Sequence, residues 1–119
     1  MTDYSHLESF SPAIDTMVTD NVLAYLSDDC MLQAGNANPI TGKEAIKDVF
    51  ENLYASIRAI HHQIDDHFSA GDKVVYRGTV TYRRKDDSML TVPFCDVFRI
   101  KDDKICEYFI YIDWHELFA

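Results

Sequence analysis

The sequence predicts an α+β fold, with helices laid over one face of a mainly antiparallel sheet. Three observations predict it. Apolar residues recur at helical spacing through the first half of the chain. The second half switches to period-two alternation broken by Gly and Asp turn signals. The 119 residues make one ordinary domain, read as spanning 1–119, and 47% hydrophobic with 13% aromatic residues supply a core without a metal or disulfide staple. Helices first and an antiparallel meander second place the helices together on one side of the sheet.

The elements come in order along the chain. Leu7, Phe10, Ile14 and Met17/Val18 mark a first helix, with Pro12 suited to its first turn. Thr19-Asp20 is read as the cap of a second short helix carrying Val22, Leu23, Tyr25 and Leu26. Asp28-Asp29 is read as its end, and 30–34 as a short strand. The stretch 35–39 is a loop by its Gly, Asn and Pro. Thr41 precedes the clearest amphipathic helix, with Ala45, Ile46, Val49, Phe50, Leu53, Tyr54 and Ile57. Strands are expected at 59–69, 73–84, 89–101 and 104–113, joined by hairpin turns at Ala70-Gly71-Asp72, Lys85-Asp86-Asp87-Ser88 and Asp102-Asp103.

Charge and cysteine usage exclude several classes. A net charge of −9 opposes nucleic-acid binding and anionic membranes. The basic run Arg83-Arg84-Lys85 meets Asp86-Asp87 at once and reads as a solvated hairpin tip. Residues 1–6 lack a basic n-region and an apolar h-region, and no apolar run approaches the ~18 residues of a membrane span. Cys30, Cys95 and Cys106 have no paired spacing and read as buried reduced thiols. A cytoplasmic protein is the expectation. No glycine-rich phosphate loop, nucleophile elbow, CxxC pair or HExxH occurs, so no cofactor is expected.

The last two expected strands are apolar on both faces. Val92, Phe94, Phe98 and Ile100 share one face of 89–101, and Pro93, Cys95 and Val97 the other; in 104–113, Tyr108, Ile110 and Ile112 alternate with Phe109 and Tyr111. A sheet covered on one side should be polar on the other. The second apolar face therefore points to a covering partner, most simply a homodimer, with a tail of the same chain as the other candidate.

The run from Asp28-Asp29 through Pro39 to Gly42 and Ile46 resembles the first strand, loop and third helix of SnoaL-like proteins, a branch of the NTF2-like superfamily. Gly71-Asp72, Asp96-Val97-Phe98-Arg99, Asp103-Lys104-Ile105 and Tyr111-Ile112-Asp113 come in that family's order. The resemblance implies an NTF2-like cone: about three N-terminal helices packed on a strongly curved, mainly antiparallel sheet around a pocket. The family includes polyketide cyclases, ketosteroid isomerases, limonene-epoxide hydrolases, scytalone dehydratases and transport factors, so the fold does not fix the function.

Set against those chemistries by similarity, the chain lacks most of the known equipment. The ketosteroid isomerase base falls on Ala34 and its tyrosine donor near Phe10; only the second acid has a match, Asp96. The polar set of limonene-epoxide hydrolases falls on Gly78, Val80, Ile110, Leu32 and Ala34, none of which carries the needed group. Of two scytalone dehydratase histidines, one resembles His62 and the other falls on Gly78. For the acidic acid/base residue of SnoaL-type cyclases, Asp96 is the candidate.

Asp96 also stands out on its own. It is the charged residue on a face of Val92, Phe94, Phe98 and Ile100. Burial there calls for a raised pKa or a partner. A neutral carboxylic acid is a hydrogen-bond donor for a carbonyl; a structural acid tied to backbone or tyrosine is the competing reading. His62 shares its face with Ile60, Ile64 and Phe68 and is either an acid/base catalyst or a satisfied core histidine. His61 and His67 lie ~20 Å apart along a strand, too far for one ion, so no metal is expected. The resemblance puts Tyr76, Tyr82 and Tyr108 in pocket phase. With Gly78, Val80, Phe94, Phe98, Ile110 and Ile112 they line a mainly apolar cavity for a lipophilic small molecule, Gly78 leaving space where relatives place a side chain. Arg77 and Asp113 face away. The leading expectation is cofactor-free isomerase, dehydratase or aldol-type cyclase chemistry with Asp96 as acid and His62 as base. The alternative is a non-catalytic ligand-binding or protein-interaction domain.

Overall fold

The computed structural model describes residues 3–118; Met1 and Thr2, where the stretch read for leader features begins, lie outside the described residues. A 3-10 segment (Ser5–Ser9) leads into α1 (Phe10–Asp15) and α2 (Thr19–Leu23). Then come β1 (Leu26–Ala34), β2 (Ile40–Thr41), α3 (Lys43–Ser56), β3 (Ile57–Ala70), β4 (Lys73–Arg84), β5 (Met89–Lys101) and β6 (Lys104–Ile112). The six strands form one sheet in the order β2-β1-β6-β5-β4-β3. Only the β1–β6 pairing is parallel. Three helices on a curved, mostly antiparallel sheet are the NTF2-like arrangement that the resemblance implied. Among the described residues, no helix is long and apolar enough to cross a membrane.

The second-half strands match the period-two reading closely. Inward positions Val74, Tyr76, Val80 and Tyr82 of β4, and Phe94, Asp96, Phe98 and Ile100 of β5, are buried. The two-residue turn Asp102-Asp103 has both φ values positive, 53° and 63°, as a type I′ hairpin requires. Helix α3 buries Ile46, Phe50 and Leu53 on one stripe. It starts at Gly42 rather than under a Thr41 cap: Gly42 has φ 100° and ψ 147°, a conformation suited to glycine.

The first half differs from expectation. Thr19 is the first residue of α2 rather than its cap, and the helix stops before Tyr25. Asp28 and Asp29 lie within β1, whose buried positions Leu26, Cys30, Leu32 and Ala34 include an early irregularity against β6. The exposed Asp pair hides the strand's start. Of the three thiols, only Cys30 is buried; desolvation pushes its pKa up to about 12. Cys95 and Cys106 are half-buried because they stand on the outer face and at a bulge.

A second bulge shapes the concave side. Between Ile64 and Asp66 of β3 the register against β4 shifts by one residue. The extra residue, Asp65, reverses the phase of the strand beyond it. Phe68, expected to share the face of His62, is 61% exposed, and His67 instead turns inward to stack on Tyr76. Gly78 sits opposite the bulge. A Cβ there would lie 1.8 Å from the Gln63 carbonyl oxygen. Glycine at 78 therefore admits the backbone of β3 at the bend and does not enlarge a pocket.

Candidate functional site

Between α3 and the concave sheet lies a narrow cavity. Its walls are Ile14 of α1, Val49, Phe50 and Leu53 of α3, Ile60 and His62 of β3, Tyr82 of β4, Phe94 and Asp96 of β5, Tyr108, Ile110 and Ile112 of β6, and Trp114 beyond the last strand. The walls close tightly: about 20 Å³ is open to the centre of a water molecule. That is room for about one water, which needs ~10–15 Å³ by the same measure.

Asp96 supplies the cavity's carboxyl group. Its alternation with Phe94 and Phe98 turns it inward, and it is 2% exposed. Its Oδ1 is buried without a hydrogen-bond partner among the described residues. Burial alone drives its pKa well above the ordinary carboxylate range. Burial therefore favours the neutral acid, which has an O–H to donate and no protein acceptor engaged among the described residues. A structural acid tied to backbone or tyrosine, the competing reading, would show such a bond.

His62 is held from behind. Its Nδ1–H donates to Asp15 Oδ1 at 2.5 Å and its backbone N–H to Asp15 Oδ2 at 2.9 Å. A carboxylate only accepts, so Nδ1 carries the proton; in the neutral ring Nε2 is then the acceptor nitrogen, and it has no protein partner among the described residues. The side chain is 8% exposed, and its ring meets Phe94 edge-on at 5.2 Å. Asp15 is in turn fixed at the end of α1. Tyr54 of α3 donates its hydroxyl to the Ile14 carbonyl at 2.8 Å, and Thr16 Oγ1 donates to Ala13 at 2.6 Å. Asp15, His62 and their anchors form a carboxylate–histidine pair facing the cavity.

Two tyrosines complete the polar lining. Tyr82 accepts the indole N–H of Trp114 at 2.7 Å. Burial raises the Tyr82 phenol, and the charges of Asp96 and Asp15 both act on it, so it stands within electrostatic reach of both ends. Tyr108 is fully buried, its pKa pushed well up by desolvation and then by Asp96. Its ring packs with Phe10, Phe50 and Phe98.

Of the residues singled out in sequence, Asp96, His62, Phe94, Tyr108, Ile110 and Ile112 line this cavity, as does Tyr82. Tyr76, Gly78, Val80 and Phe98 do not. Val80 and Phe98 are packed into the core, Tyr76 is covered by His67, and Gly78 is filled by the bulge. Arg77 faces outward and pairs with Asp66. Asp113 caps the following turn by accepting the His115 N–H at 2.9 Å. Sequence reading misses Asp15 and Trp114. Asp15 is the polar residue next to Ile14 in a short helix, and only the tertiary contact with β3 distinguishes it from a solvated acid. Among the described residues, no three His, Cys, Asp or Glu side chains gather as a metal-binding set.

Comparison with solved structures gives the same fold throughout. An NTF2-like protein of unknown function from Burkholderia pseudomallei K96243 superposes with a TM-score of 0.85 at 17% identity, covering 98% of this chain and 95% of that one. A protein with a ketosteroid isomerase-like fold from Catenulispora acidiphila, in complex with trimethylamine, gives 0.83 at 19% identity, covering 92% and 86%. An LEH-like epoxide hydrolase from M. tuberculosis gives 0.80 at 20% identity, covering 97% and 85%. These identities carry the fold and not the activity. No curated protein matches the chain in sequence. The SnoaL-like domain model matches residues 7–108, most of the chain, including Asp15, His62, Asp96 and Tyr108. The chain belongs to the SnoaL-like domain family.

Proposed function

We propose that the cavity is a small-molecule site for cofactor-free acid/base chemistry on a lipophilic carbonyl compound: isomerisation, dehydration or aldol-type cyclisation. The observation that carries this reading is the unpartnered, buried Asp96 carboxyl facing the same cavity as the Asp15-held His62. Neutral Asp96 donates its O–H to the substrate oxygen and stabilises the enolate that develops there. His62 Nε2 accepts the proton lost from substrate, and Asp15 stabilises the imidazolium that results. His62 pairs with Val80, Val80 with Val92, and Asp96 lies four residues further along β5, with Phe94 between. Acid and base thus stand two strands and four residues apart on the concave face, and act on different ends of a ligand rather than on one shared proton.

The test uses a panel of lipophilic ketones and phenols, read by thermal shift and by turnover. Asp96→Asn and His62→Ala are expected to fold normally and lose turnover, while Asp96→Ala loses the ligand-induced rise in melting temperature. Full activity retained by both the Asp96→Asn and the His62→Ala variants contradicts the catalytic reading.

The tight cavity supports a second reading, a ligand-binding or protein-interaction domain without catalysis. Ala34 and Val80, where relatives carry bases, favour it as well. Ligand stabilisation without turnover of any panel member distinguishes it. In either case the apolar outer strip of Pro93, Cys95, Val97, Phe109 and Tyr111 supports a homodimer through the convex sheet face, with Tyr111 57% exposed in the single chain.

A further inference from the structure

Any ligand that reaches Asp96 has to displace a wall, because the cavity has room for about one water. The walls are held unequally. Those from β3 to β6 are fixed by ladder pairing on either side of their bulges, and those of α1 and α3 stand on helices packed over the sheet. Trp114 lies beyond the end of β6 and outside every ladder. Its indole is held by one side-chain hydrogen bond, to Tyr82, and by an edge-on contact with Phe118 of its own segment at 5.9 Å. The segment after it adds a long contact from Arg84 Nη2 to the Glu116 carbonyl at 3.4 Å, and otherwise bonds to itself. On the far side of Trp114 is an open groove of about 480 Å³, lined by Ala34, Gly35, Asn36 and Asp113. Ile112 and Trp114 line both the groove and the inner cavity. Ile112 is locked against Phe94 in the ladder. The indole is the movable partition between the two spaces.

We propose that Trp114 is the gate and size-selecting residue of the cavity. Its indole swings aside to admit a ligand from the groove beside Gly35 and Asn36, then closes by donating Nε1–H to Tyr82. This rests on the reading of the cavity as a ligand site. Closure also acts on the site's chemistry. An accepted N–H at the Tyr82 oxygen polarises its O–H, making the phenol a stronger donor toward whatever occupies the cavity. Swinging out a side chain of indole size opens space for a ring beside Tyr82.

The test monitors binding of 4-fluoroacetophenone, and of the bulkier 4-fluorobenzophenone, by fluorine NMR exchange. Trp114→Ala is expected to associate with the smaller ketone at least tenfold faster than wild type and to accept the larger one, which wild type rejects. Trp114→Phe keeps a plug but drops the latch to Tyr82; it is expected to associate faster while still rejecting the larger ketone. Adding Asp96→Ala to Trp114→Ala is expected to abolish binding, which assigns the ketone to this cavity. Equal association rates and equal size selection in wild type and Trp114→Ala overturn the gate and leave the site reading standing. If Trp114→Ala does not fold, a wild-type association rate in Trp114→Phe overturns the gate. Binding of neither ketone by folded wild type and folded Trp114→Ala overturns the site reading and the gate with it.

Discussion

A carboxyl group surrounded by Phe94, Tyr108, Ile110 and Phe50 has lost its water and gained no hydrogen bond at Oδ1. Ionising it there is costly, so the folded state holds a proton that the unfolded chain releases. The raised pKa of Asp96 sets the sign of the linkage. Its contribution to stability is fully present below the ordinary carboxylate pKa and is lost as pH rises toward the raised folded value. Over that window one proton is worth about 1.4 kcal/mol per pH unit. Asp96→Asn is therefore expected to melt above wild type at pH 7–8 and to show a flatter stability–pH profile, read by denaturant melts across pH 4–9. A variant that melts below wild type at every pH contradicts the neutral-acid account. Asp15 makes a different claim at the same scale. Asp15→Ala leaves two donors of His62 unanswered, at a cost of about 2 kcal/mol. Nitrogen NMR is expected to show one His62 tautomer, protonated at Nδ1, in wild type and a mixture in the variant; an unchanged tautomer would remove Asp15 from the positioning role.

At the scale of elements, the bulge of β3 decides which side chains reach the cavity. Asp65 is an inserted residue, and the strand beyond it presents the opposite face. Gly78 answers it on β4, where a Cβ would collide with the Gln63 carbonyl. Gly78→Ala is expected to destabilise the protein by about 2–3 kcal/mol, as overpacking against backbone does. Calorimetric or urea melts check this, and a neutral substitution would show that the bend has slack. The same element explains how far the sequence is legible. Strands β4, β5 and β6 announce themselves by alternation and by Gly and Asp turns, so the inward position of Asp96 emerges from counting twos. A bulge leaves no such mark: it inserts a residue without altering composition, so simple alternation misplaces Phe68, and the space that the resemblance assigned to Gly78 is taken by the bend. β1 reads short because Asp28 and Asp29 are polar at exposed strand positions. Asp15 and Trp114 lie outside any periodic stretch, and their roles come from partners 47 and 32 residues away in the chain.

At the scale of the whole molecule, the sheet has two apolar faces and the helices cover one. The concave face carries the cavity; the convex face presents Val97, Phe109 and Tyr111, with Phe109 and Tyr111 stacked at 6.3 Å. Water contact along such a strip is unfavourable, and pairing two copies back to back removes it while leaving the helix-covered faces and both cavities outside the contact. Light scattering on the purified chain is expected to give twice the chain mass. The double change Val97→Asp, Tyr111→Asp is expected to give the single-chain mass with little change in ligand binding. A monomeric wild type at micromolar concentration contradicts the dimer.

The protonation of Asp96 is the point on which the chemistry turns, and it can be observed directly. The carbon-13 shift of the Asp96 carboxyl, recorded from pH 4 to 9 with and without 4-fluoroacetophenone, is the most direct test. A carboxyl that stays protonated through pH 7, and whose shift moves when the ketone binds, is the predicted result. A carboxyl that titrates near the ordinary ~3.9 of aspartate, indifferent to the ketone, would contradict it.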